Sequence, residues 1–299
     1  MTVELIESYL RAKRAEGLAP ASLHRHLATL SLILRAALRR RLVRENPVAM
    51  VERPKATRRR WRILSPAEFI VVGQAWDEME EEAGRDQDRD DVRVSKMMFQ
   101  TMMRTGIRRG EALGLRWRHV LLADPDGPVL RVEETYVRNA IDTPKSEAGQ
   151  RTISLGPMLS GELFDFRAAS NYGDDDERVF ANPRTGNPFN ATVYGDLLRE
   201  ALKRAGVEGY VRPCHDLRHS SITNAAAAGH SPEALMSRAG HSDYATTRRY
   251  VDLAGERFRE EGDKLEERLA GGTGTKNRYK VAPSSQGQET LESATPVVV

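Results

Sequence analysis

Three short stretches near the C-terminal end of the 299-residue chain carry groups that could work on a phosphodiester. They are His215-Asp216-Leu217-Arg218, Ala239-Gly240-His241 and Thr247-Arg248-Arg249-Tyr250. Opening a phosphodiester needs cationic hydrogen-bond donors on the non-bridging oxygens and a nucleophile in line with the departing oxygen. Arginine suits the first task, because its planar guanidinium donates two parallel charge-assisted hydrogen bonds. Tyrosine suits the second once a neighbouring cation or base eases the loss of a phenolic proton whose ordinary pKa is about 10. His215 and Arg218 stand one helical turn apart and so share a face. Alone, such a pair is also what the solvated face of an ordinary helix presents, so the weight rests on an ordered set with partners upstream.

Two upstream stretches supply those partners. Thr105-Gly106 ends the apolar run of residues 94–103 in a tight turn, and Ile107-Arg108-Arg109-Gly110-Glu111 follows at once. Arg108, held just after the turn and backed by Glu111, is placed for a fixed role, although a surface ion pair is the plainer reading. Lys145 lies in 143–150, which reads as a hairpin between period-two stretches at 129–137 and 151–155. A lysine at a hairpin tip is ordinarily just solvated.

Helices must position these groups. Apolar spacing predicts one over residues 3–16 and a second from Ala19-Pro20 to the break at Asn46-Pro47, with Arg39, Arg40, Arg41 and Arg44 clustered at its far end. Residues 52–62 lack periodicity and carry Arg58, Arg59 and Arg60, as a basic linker able to follow a DNA backbone does. Ser65-Pro66 starts a fresh helix. Further helices are expected over 94–103, 191–205 (capped by Asn190), 215–228, 232–239, 244–253 and 256–269. The Gly/Thr/Ser/Pro-rich tail from Gly271 reads as disordered. The fold class is therefore mainly α with a small antiparallel sheet (α+β). Its expected divisions are a short helical DNA-binding region at 1–51, the linker 52–62, a catalytic domain at 63–270 and the tail 271–299.

Charge points to a polyanionic partner. Residues 1–62 hold 15 Lys/Arg against 5 Glu, whereas Asp77–Asp91 packs nine acids with two arginines. Nothing spaces those acids like a metal-ligand cage. The single Cys214 cannot close an intrachain disulfide, and no run of about 18 apolar residues is present. The chain reads as cytoplasmic, with no membrane partner.

Taken in order, Thr105-Gly106-Ile107-Arg108-Arg109-Gly110-Glu111, Lys145, His215-Asp216-Leu217-Arg218, Gly240-His241 and Thr247–Tyr250 resemble the signature boxes of the tyrosine recombinases, the phage-integrase family. The likeness spans roughly residues 5–255. It implies a site-specific recombinase that cuts and rejoins DNA through a 3′-phosphotyrosyl intermediate. No metal, ATP or other cofactor is implied, and the working form is a tetramer on double-stranded DNA. Tyr250 would attack, Arg108 and Arg218 would hold the phosphate, and Lys145 would protonate the leaving 5′-oxygen. His241 would bond the phosphate, His215 would assist proton transfer at the tyrosine, and Glu111 would orient the framework. The 256–269 helix would pack on a neighbouring subunit. Three features depart from the family pattern: Ala239 stands where Leu is usual, Asp252 stands where His is common, and the N-terminal region matches only the later helices of a core-binding domain. The alternatives are a type IB topoisomerase-like enzyme or a non-catalytic DNA-binding regulator. Tyr244 is the nearby rival nucleophile.

Overall fold

In a computed structural model, residues 1–55, 61–142, 149–254 and 269 are described. Lys145, Arg58, Arg59, Arg60, nearly all of the expected 256–269 helix and the tail lie outside them. The chain divides into two compact units between Trp61 and Arg62.

The first unit is an antiparallel pair of helices with a short 3-10 turn. Helix α1 (Val3–Ala15) starts on Thr2, whose hydroxyl accepts from the Leu5 N–H. Helix α2 (Pro20–Arg39) opens with a proline in its first turn, where no amide hydrogen is needed. Ile6 and Leu10 of α1 meet Leu23, Leu27 and Leu34 of α2, and Val48 and Val51 close the cluster. Helix α2 ends earlier than the Asn46-Pro47 break suggests. Arg40 caps it and Arg41 turns left-handed at φ 58°, leaving Arg39, Arg40, Arg41 and Arg44 exposed on the departing chain.

The second unit is built around α4 (Asp86–Thr105), whose Met98, Phe99 and Met102 are wholly buried. Ser65 and Glu68 form a reciprocal capping box at the start of α3 (Pro66–Glu82), which packs on α4 through Trp76 and Phe69. The acidic run thus divides between two helix ends, and α4 starts well before residue 94. Asp86 and Asp88 sit at its N-terminus, where carboxylates favour the helix dipole. Glu80, at the unfavourable end of α3, is matched by Arg93 and Lys96.

After α5 (Arg109–Gly114) come β1 (Val120–Leu121), β2 (Val129–Val132), β3 (Thr135–Val137), β4 (Ala140–Asp142) and β5 (Arg151–Ser154). Strands β1, β2 and β5 form one antiparallel sheet in that order, while β3 and β4 pair separately. A hairpin therefore turns at Arg138 and Asn139, both at positive φ as a two-residue type I′ loop requires. Strand β3 belongs to that hairpin and not to the sheet carrying β2.

Helix α6 (Pro157–Ala168) has no counterpart among the sequence expectations. Gly161 and the exposed Met158 and Phe164 blur its apolar face, although Leu159, Leu163 and Phe166 are buried at helical spacing. Helix α7 (Ala191–Arg204), capped by Asn190, follows. Then come α8 (His215–Ala227), α9 (Pro232–Ala239) and α10 (Tyr244–Ala254). Helix α8 packs on both α4 and α10, and α9 on α8, α10 and β5. Ser220 and Asn224 of α8 tie the backbone of Leu64 at 2.8 and 2.9 Å. These packings bring the scattered polar boxes together.

Candidate active site

Arg108 and Arg218 converge because two helices end in left-handed glycines. Gly106 caps α4 at φ 72° and Gly240 caps α9 at φ 62°, a conformation open to glycine without a Cβ penalty. The carbonyl of Gly106 accepts from Arg218 Nη1 at 2.6 Å, and that of Gly240 accepts from Arg108 Nη2 at 3.3 Å. Arg218 also donates to the Ala239 carbonyl and, at 3.1 Å, to His241 Nε2. Its side chain is 6% exposed. Burial, with Arg108 adding to it, pushes its pKa down to about 10, so it remains a cation at neutral pH.

Glu111 fixes Arg108. Its carboxylate accepts the Arg108 backbone N–H at 2.8 Å and the guanidinium at 2.7 Å. It is also gripped by both terminal nitrogens of Arg151, at 3.2 and 2.8 Å. Burial alone would raise the Glu111 carboxyl, but Arg151 and Arg108 outweigh it and hold the pKa down to about 2. Arg151 further donates Nε to the Arg238 carbonyl at 2.8 Å, joining β5 to the last turn of α9. Nothing in the sequence singles out Arg151. Its signal was only its place at the start of a strand, which does not reveal a buried carboxylate.

His241 sits between the arginines and Tyr250. A guanidinium donates and cannot accept, so His241 Nε2 is the bare nitrogen and the ring proton sits on Nδ1, donated to Thr247 Oγ1 at 3.0 Å. Burial first, then Arg218, Arg108 and Arg151, lower its pKa to about 4. Its ring stacks near that of Tyr250, with centroids 5.7 Å apart.

Tyr250, on α10, is 2% exposed. Burial raises its phenol pKa, and the charges of Arg218, Arg249 and Arg108 work against that rise. Its hydroxyl bonds His219 Nδ1 at 2.8 Å. His215 is exposed at the first position of α8, and its ring meets that of His219 edge-on at 4.6 Å between centroids. The imidazole bonded to the Tyr250 hydroxyl is thus His219, one turn beyond His215 and without a role from sequence, although the i,i+4 spacing puts the two on one face. Tyr244 begins α10 half-exposed.

Cys214, immediately before α8, has φ 68° and ψ −40°, and the His215 N–H bonds the Pro213 carbonyl at 2.8 Å. This is the rare strained γ-turn, occupied by a residue with a side chain. Among the described residues no group of His, Cys, Asp and Glu could hold a metal ion, and no helix is long and apolar enough to cross a membrane.

The arrangement presents two fixed guanidinium groups, an imidazole and a buried phenol from four separate helices and turns. The sequence model of the phage integrase family matches residues 77–257, so the chain belongs to that family. It is 27% identical over 266 residues to the tyrosine recombinase XerD of Halalkalibacterium halodurans, covering 87% of this chain and 80% of that protein. A putative prophage phiRv2 integrase of Mycobacterium tuberculosis is 34% identical over 161 residues, 52% of this chain and 41% of the relative. Among solved structures, the Tn1549 transposon integrase in complex with circular intermediate DNA superposes with TM-score 0.68 at 19% identity, over 88% and 85% of the two chains. A lambda integrase dimer on a core site gives TM-score 0.59 at 20% identity, over 86% and 81%.

Proposed function

We propose that the protein is a site-specific DNA recombinase that breaks and rejoins strands through a 3′-phosphotyrosyl intermediate at Tyr250. The observation carrying this reading is that His241 joins the two kinds of group, its ring stacked near that of Tyr250 and its Nε2 accepting a hydrogen bond from Arg218, while Arg108 bonds the carbonyl of Gly240 beside it. Arg108 and Arg218 hold the non-bridging oxygens and stabilise charge as the phosphorus becomes five-coordinate. His241 adds a hydrogen bond to the phosphate once it takes a second proton, and Glu111 keeps Arg108 in place. Lys145 delivers a proton to the departing 5′-oxygen, which otherwise leaves as a poor alkoxide. His215, at the exposed start of α8, assists proton movement around the tyrosine. The bond energy stays in the phosphotyrosyl ester, so a second DNA hydroxyl can reverse the step without ATP.

The two-helix unit and the basic segment at 52–62 grip the DNA backbone through Arg39, Arg40, Arg41, Arg44, Arg58, Arg59 and Arg60, and residues 63–270 perform the chemistry. A tetramer on two duplexes in the cytoplasm is the working assembly. Support comes from a lambda integrase tetramer bound to a Holliday junction, which shares the fold at TM-score 0.61. Relatives named as recombinases and integrases favour strand exchange over relaxation. A nicked suicide duplex carrying the target site tests the chemistry. Wild type should trap a covalent protein–DNA adduct and Tyr250→Phe none. An undiminished adduct in Tyr250→Phe removes the proposed nucleophile.

A further inference from the structure

We propose that His219, rather than His215, accepts the proton of Tyr250 as the phenol attacks, an inference that rests on Tyr250 being the nucleophile. Its Nδ1 lies 2.8 Å from the Tyr250 hydroxyl, which is hydrogen-bond distance for direct transfer. Both side chains are buried, so bulk water is a poor competitor for that proton. His215, by contrast, faces solvent and touches the ring of His219.

In this step the phenolic O–H bond breaks and its proton joins the lone pair of Nδ1, turning the imidazole with its proton on Nε2 into an imidazolium. The electron pair left on the phenolic oxygen forms the O–P bond. The P–O5′ bond breaks with its pair on O5′, which takes a proton from the acid assigned above to Lys145. On rejoining, the imidazolium returns its proton to the phenolic oxygen. The opposite tautomer, with the proton on Nδ1, makes His219 a mere donor that holds the hydroxyl in place.

The surroundings keep the ring neutral and ready to accept. The groups around it are His215, Asp216 and Arg218 on its own helix, Arg212 just before that helix and Tyr250 on α10. Burial first, and His215 next, bring its pKa down to about 3, so no resting fraction is lost to protonation at neutral pH. The same low value makes transfer from an unreacting phenol strongly uphill. Arrival of an anionic phosphate favours the imidazolium, and the transfer is thereby coupled to attack.

Single-turnover cleavage of a nicked suicide duplex by the full chain tests this, with wild type, His219→Asn, His219→Ala, His215→Asn and Tyr250→Phe. An asparagine places its amide near the position of Nδ1, so it can keep the hydrogen bond but cannot take the proton. His219→Asn should cleave about a hundred- to ten-thousandfold more slowly at neutral pH, with DNA affinity kept and Tm within a few degrees. Its rate should rise about tenfold per pH unit as phenolate accumulates, whereas the wild-type rate stays flat. His215→Asn should be the milder lesion. A duplex with sulfur at the bridging 5′ position, whose leaving group needs no acid, should not restore His219→Asn. Should His219→Asn itself unfold, His219→Gln keeps an amide in the buried site and takes its place. Near wild-type cleavage by the amide variant, or its rescue by the sulfur substrate, overturns the inference while Tyr250 remains the nucleophile. No adduct from wild type overturns the reading of Tyr250 and this inference with it.

Discussion

The carbonyl of Gly106 accepts a hydrogen bond from the Arg218 guanidinium across 112 positions of sequence, at 2.6 Å. The glycine that ends α4 thereby aims an arginine on α8. Gly240 does the same for Arg108 from the end of α9. The left-handed caps serve two purposes at once: they stop a helix and turn a bare carbonyl toward an arginine of the site.

Gly106→Ala should therefore affect catalysis as well as folding. An added Cβ meets Ser221 Oγ at 3.2 Å, and the φ of 72° disfavours any side chain. We expect a loss of about 1–2 kcal/mol in urea melts. Cleavage should fall on the order of ten- to a hundredfold, because Arg218 loses its alignment. Unchanged cleavage would show that Arg218 does not need the Gly106 carbonyl.

Arg108 and Arg151 share Glu111 but should fail differently. Arg151 and Glu111 are each 4% exposed, whereas Arg108 is 44% exposed. Arg151→Ala leaves a buried carboxylate short of its main partner and should cost about 3–5 kcal/mol of stability. Arg108→Ala should move stability by less than about 1 kcal/mol, yet lower cleavage by on the order of a hundred- to a thousandfold. DNA affinity should stay nearly intact. Chemical denaturation beside adduct formation distinguishes the two, and equal stability losses would contradict this division.

Acid should unfold the protein in part through its histidines. His241 and His219 have folded pKa values lowered to about 4 and about 3, and His215 is lowered as well, all chiefly by burial. Below the unfolded value of about 6.5 the unfolded chain binds protons that the folded chain refuses. Stability is then greatest above that value and drains as pH falls, with the loss completed as each folded pKa is passed. Each fully refused proton contributes a slope of about 1.4 kcal/mol per pH unit. Melts between pH 7.5 and 4.5 should steepen accordingly, and His219→Asn with His241→Asn should flatten them. An unchanged slope in that double variant would contradict the assignment.

The basic N-terminal unit should govern DNA affinity without governing chemistry. Replacing Arg39, Arg40, Arg41 and Arg44 by alanine should lower the salt slope of binding by about 0.9 for each phosphate no longer neutralised. Rates on saturating DNA should stay near wild type. A salt slope indistinguishable from wild type would mean that other residues hold the DNA backbone.

Much of this site could be read from the chain, because local signals name helices and their stops. Gly106, Ser65-Pro66 and Asn190 marked helix ends correctly, and the period of two found β2, β3 and β5. Pairing is a non-local property, and the separation of β3 into its own hairpin has one local sign, Asn139, which tolerates positive φ, while Arg138 beside it does not advertise such a turn. Helix α6 escaped because Gly161 and exposed apolar residues masked its face. Within the site, order and spacing drew attention to Arg108, Arg218, His241 and Tyr250. Arg151 and His219 went unassigned because their roles arise from what folding puts beside them. A buried carboxylate and a phenol 31 positions away cannot be inferred from either residue's neighbours.

The most direct test is to digest the covalent product of a suicide duplex and identify the peptide that carries DNA. A single phosphotyrosyl linkage on Tyr250 is predicted, within the peptide that includes Thr247, formed by wild type and absent in Arg218→Ala. Linkage to the exposed Tyr244, or an adduct formed equally well without Arg218, would contradict Tyr250 as the arginine-assisted nucleophile.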